Sequence, residues 1–139
     1  MADTLDDLKR NLQSLANSIS SKLNERQGYL DKADEIQKVY DRLARDKKTI
    51  KEYRNDIVYF YKESYNEFKG DNYKYTYKPS IQDLRDSYDD VLSNIDINLD
   101  ALNNQILSYK NKASGCLGSL GYMQIAYNSV KTQIQNWTN

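Results

Sequence analysis

The chain has 139 residues with 20 basic and 20 acidic side chains, no histidine and one cysteine. That length allows one domain at most, and the zero net charge with a pI near 6.3 removes nucleic acid and anionic membrane surfaces as default partners. Without histidine the usual Ser-His and Cys-His nucleophile pairs, the commonest general base and the commonest metal ligand are all missing, so the sequence reads as non-enzymatic, with no cofactor and no metal.

Only 39% of the residues are hydrophobic and the mean hydropathy is −0.89. That is thin for a globule but normal for long helices that bury one stripe each. The longest apolar run, Ile57 to Tyr61, is far too short to span a bilayer, so no membrane insertion is expected. The polar, acidic start Met1-Ala2-Asp3-Thr4 does not read as a signal peptide. Cys116 has no partner for an internal disulfide, and its role is left open.

The first segment, from Thr4 to about Gln27, carries Leu5, Leu8, Leu12, Leu15, Ile19 and Leu23 at steps of three and four. This is one apolar stripe in coiled-coil style. Thr4 with Asp7 resembles a capping pair. Gly28 then interrupts the pattern; near-continuity with a weak point is the expectation, at about 1 kcal/mol relative to alanine. The stripe resumes through Ala33, Ile36, Tyr40, Leu43, a break at Lys47, then Ile50, Tyr53, Ile57 and Phe60 or Tyr61. From Ile57 to Tyr61 the apolar residues point in nearly every direction. A two-helix hairpin covers only one side, so this end is expected to touch something more.

Phe68-Lys69-Gly70 and the following residues to Pro79 read as the tip of a hairpin. Gly70 is suited to end the first helix, and Pro79 with Ser80 and Asp83 to begin the second. Seven of the 13 tyrosines lie between Tyr53 and Tyr77. Tyrosine offers amphipathic contact area and is enriched at interfaces. The expected partner-binding set is Ile57, Val58, Phe60, Tyr61, Tyr65, Tyr73 and Tyr75, with Leu92 and Ile97, which together with Leu107 widen the stripe of the second arm.

The second arm runs from about residue 80 to 138. Its stripe is Ile81, Leu84, Tyr88, Val91, Ile95, Leu99, Leu102, Ile106 and Tyr109. Its surface is acidic where the first arm has a basic flank, which suits antiparallel pairing. Gly115, Gly118 and Gly121 predict a break near 114–121, and the last segment resumes through Ile134 to Trp137. Leu5, Leu8 and Leu12 are expected to pack with Ile134 and Trp137. The first arm covers about 4–68 and the turn about 69–79. Matched arms place Gly28 opposite Gly118 as a shared hinge. The expected architecture is all-α: one elongated antiparallel helical hairpin, single-domain over residues 1–139. The alternative folds the outer segments back into a compact four-helix bundle.

Two helical arms joined by Phe68-Lys69-Gly70 resemble the WXG-type small helical proteins of bacterial type VII secretion, with Phe68 in place of tryptophan. The block from Phe68 to Tyr73, then Tyr88 to Asp96 and Leu99 to Ile106, is more similar to the YwqH-like, LXG-toxin-associated α-helical proteins. The likeness is spread over most of residues 30–113. It implies a targeting factor that binds the helical N-terminal LXG domain of a polymorphic toxin, together with a second small α-helical protein, for type VIIb export. It implies a location in the bacterial cytoplasm, with co-export by a signal-peptide-independent route as an extension. The export signal is expected on the second small protein. The other reading is a self-associating coiled coil, homodimeric in isolation, with no toxin partner.

Overall fold

The computed structural model describes residues 4–67 and 78–138, and the side chains among them except those of 61–67. It is an all-α helical hairpin of two helices, α1 over Leu5–Glu67 and α2 over Lys78–Thr138. Phe68, Gly70, Tyr73 and Tyr75 lie outside the described residues, as do the side chains of Tyr61 and Tyr65.

The start of α1 follows from local chemistry. The Thr4 backbone N–H donates to Asp7 Oδ2 at 3.2 Å, and the Asp7 N–H donates to Thr4 Oγ1 at 3.1 Å. This reciprocal pair satisfies two N–H groups near the start of the helix. The hydrogen bonds to Thr4 hold the Asp7 carboxyl below its ordinary value of 3.8. The predicted cap at Ser80 is not where α2 begins. The helix starts at Lys78, with Pro79 as its second residue and Ser80 already inside. Pro79 is tolerated there because first-turn N–H groups have no intrahelical acceptor to lose.

Both helices run unbroken through their glycines. The predicted weak point at Gly28 and the predicted break at 114–121 are absent, and no described glycine takes a positive φ. The described residues therefore form two helices rather than the four of the bundle alternative. A glycine costs a helix only about 1 kcal/mol. Ala113, Cys116 and Leu120, spaced among the α2 glycines, are buried. Their packing outweighs that cost. A Cβ added at Gly28, Gly115, Gly118 or Gly121 would meet nothing within 4 Å.

Packing divides the chain into two units: residues 1–35 with 105–139, and residues 36–104. In the second unit Lys47 pairs with Asp96 at 2.5 Å and Arg54 with Asp89 at 2.8 Å. Seven residues forward on α1 match seven residues back on α2, which fixes an antiparallel register. Ile95 and Leu99 form the buried centre of this unit. The first unit is centred on Leu8, Ala33, Ile106, Ala113, Cys116, Leu120 and Val130. Tyr29 and Tyr109 meet there at 6.3 Å between ring centroids. Lys112 lies 5.1 Å over the Tyr109 ring and Lys32 5.5 Å over it. Among the described residues no large side chain is fully enclosed. The core is a seam, as two paired helices require.

Candidate functional site

The burial pattern shows which residues form the seam. On α1 the sheltered positions step by four and three without a break: Leu8, Leu12, Leu15, Ile19, Lys22, Arg26, Tyr29, Ala33, and on to Ile57. On α2 the same alternation runs from Ile81 through Arg85, Tyr88 and Leu92 to Ile134. The seam thus takes Lys22 and Arg26 where the apolar stripe pointed to Leu23, and Arg54 where it pointed to Tyr53. Leu23 and Tyr53 are exposed instead. Leu84 and Val91, expected in the α2 stripe, are also exposed, beside the sheltered Arg85 and Leu92.

Cations at seam positions bury their stems and need an acceptor for the charged head. Lys22 finds Glu25 at 2.9 Å, and Lys47 and Arg54 find the aspartates named above. The Lys22–Glu25 hydrogen bond raises the lysine pKa and lowers that of the glutamate. The Glu25 charge, with the Tyr29 hydroxyl donating to it at 3.3 Å, pushes the phenol up. Arg26 differs. Its Nε is buried and has no hydrogen-bond partner. A buried donor left unpaired costs about 1–3 kcal/mol.

The structure sorts the sequence-predicted residues by place. Ile57 is half-buried on the seam and Leu92 half-buried opposite, so both serve the hairpin's own packing. Val58 lines a small pocket with Ile81, Gln82 and Arg85. Phe60 is 54% exposed and Ile97 65% exposed. Leu8 is buried, Leu5, Leu12 and Ile134 are half-buried, and Trp137 keeps 54% of its surface open. Cys116 is buried and outside any disulfide in the seam of the first unit, a packing position that does not favour a reactive thiol.

A surface that the apolar stripe did not reveal lies along one flank of the first unit. A shallow groove there is lined by Ala16 and Ile19 of α1 with Gln124, Tyr127 and Asn128 of α2. Leu23 lies seven residues beyond Ala16 on α1, and Leu117 seven before Gln124 on α2, so heptad spacing places both on the same flank. They are 50% and 51% exposed. Leu107, three heptads before Asn128, is also exposed. The signal was present in the sequence as the strict alternation itself, which reaches Lys22 and Arg26 and turns Leu23 outward.

Among the described residues no group of three or more histidine, cysteine, aspartate or glutamate side chains is placed to hold a metal ion. No described helix is long and apolar enough to cross a membrane. No family model, curated protein or solved structure matches the chain.

Proposed function

We propose that the chain is a non-catalytic adaptor. It binds the helical N-terminal LXG domain of a polymorphic toxin, together with a second small helical protein, and presents the toxin to a bacterial type VIIb secretion machinery. The observation that carries this reading is the apolar surface left over after the hairpin has paired. Leu23, Leu107 and Leu117 in the first unit, and Tyr53, Phe60, Leu84 and Val91 in the second, all stay substantially exposed. Large apolar side chains repeated along helices in this way mark sites that a further helix covers. The resemblance around Phe68-Lys69-Gly70 supplies the kind of partner, and α-helical domains pair with α-helical hairpins through such stripes.

Co-expression with an LXG domain encoded beside the chain tests this. The expected result is a stable complex on size exclusion. Phe60→Glu should weaken that complex more than it lowers the melting temperature, since an exposed site contributes little to the fold. A folded chain that elutes alone in the presence of the domain contradicts the adaptor reading.

A further inference from the structure

The two units shelter their seams unequally. In the first, Leu8, Ile106, Leu120 and Val130 are buried, with Ala33, Ala113 and Cys116 among them, so both helices supply buried side chains. In the second, Ile95 and Leu99 are the only buried apolar residues among those described, and both lie on α2. Between residues 36 and 60 no α1 side chain is buried. Ile36, Tyr40, Leu43, Ile50 and Ile57 reach the seam there and stay half-buried. Tyr53, Tyr59 and Phe60 on α1 and Leu84, Val91 and Ile97 on α2 are exposed.

Polar contacts between the helices do not make up the difference. The second unit has two ion pairs, Lys47 with Asp96 and Arg54 with Asp89, whose partly exposed side chains contribute little. The first has the Tyr29–Tyr109 ring pair, with Lys32 over the Tyr109 ring and Lys112 over that of Tyr29, contacts of similar weight. Two effects weaken the first unit. The buried Arg26 Nε has no partner, and the first unit must close a longer loop once the second has parted. One unmade hydrogen bond costs about what burying one large aliphatic side chain gains, and loop entropy grows only as the logarithm of length. The first unit's two further large aliphatic side chains, with two alanines and a cysteine, outweigh both.

We infer that the second unit is the half of the hairpin built to open: its two helices part in one cooperative step while the first unit stays closed. Parting bares Ile95 and Leu99 together with the half-buried α1 side chains, an apolar surface that the closed seam covers. The step belongs to the chain alone and does not depend on what the chain binds. Sparse apolar burial is what sets the low-stability end of a fold, and amides there exchange through local opening rather than global unfolding.

Native-state hydrogen exchange of the purified full chain at low denaturant tests this. Amides within residues 40–56 and 88–102 should share one protection level, at least about tenfold below that of residues 8–33 and 109–130. Ile95→Val, a mild change at a buried site of the second unit, should lower protection there by about two- to tenfold and leave the first unit unchanged. Val130→Ala should lower protection in the first unit and leave the second unchanged. Cys116 gives an independent readout, because it is the single thiol and is buried in the first unit. Its labelling by a thiol reagent should ignore Ile95→Val and quicken with Val130→Ala. Equal protection in both units, with each variant lowering both, means one global opening and overturns the inference. Lower protection in the first unit, with Cys116 labelling quickly in the unaltered chain, means that the Arg26 gap decides the weak half and also overturns it.

Discussion

Replacing Gly115 and Gly118 together with alanine asks whether α2 is one continuous helix. Both glycines lie inside the helix with ordinary helical φ, and an added Cβ meets nothing within 4 Å at either. There is therefore no steric penalty to subtract. The gain is the reduced freedom of the unfolded chain and the better helix propensity, roughly 0.4–1 kcal/mol at each site. Because neither methyl touches a neighbour, the two effects should add to about 1–2 kcal/mol. At about 2–4 °C per kcal/mol for a chain near this size, the melting midpoint should rise by roughly 2–8 °C. Thermal unfolding followed by circular dichroism at 222 nm is sufficient to see it. A fall in the midpoint refutes the reasoning. It would mean that these positions leave the helical region in solution, as the glycine spacing alone suggests.

Arg26→Met should stabilise the isolated chain by about 1 kcal/mol, because it removes a buried donor that has no acceptor; chemical denaturation giving a clear loss of stability would show that the guanidinium has a partner in the free chain. A double-mutant cycle on Arg54 and Asp89 should give a coupling of about 0–1 kcal/mol, since both side chains remain partly exposed, and a much larger value would contradict the observed burial. Thr4→Ala should speed amide exchange of Asp7 and Leu8, whose N–H groups are held by Thr4; unchanged exchange would exclude the cap. The cap is also pH-dependent. The Asp7 pKa is lowered in the fold, so its contribution is present above the ordinary value of 3.8 and is lost as pH falls through the lowered value. Fraying of the first turn, read by exchange or NMR, should therefore appear in acid and not between pH 5 and 8.

The hairpin was legible because steps of three and four from Leu5 to Ile19, and again from Ile95 to Tyr109, leave few other folds for these residues. The cap at Thr4 was legible for the same reason: side chain and spacing together specify it. What apolar spacing misread was the seam between those stretches. Lys22, Arg26 and Arg54 occupy sheltered positions, and a search for hydrophobic residues passes over them to Leu23 and Tyr53. Their long stems pack in the seam, which composition does not show. The glycines misled in the opposite direction. Their propensity cost is local and small, and the burial of Ala113, Cys116 and Leu120 around them decides the outcome. Ser80 looked like a cap on side-chain type alone, but Lys78 and Pro79 extend the helix ahead of it. The groove at Ala16 and Gln124 joins residues 108 positions apart in sequence, so it could be seen only once the register was known.

Hydrogen–deuterium exchange of the chain, alone and with an LXG domain, tests the adaptor claim most directly. The account predicts added protection around the exposed apolar residues, Leu23, Leu107 and Leu117 in the first unit and Tyr53, Phe60, Leu84 and Val91 in the second, where a docked helix slows local opening. Exchange that is identical with and without the domain, over the whole of both helices, would contradict it.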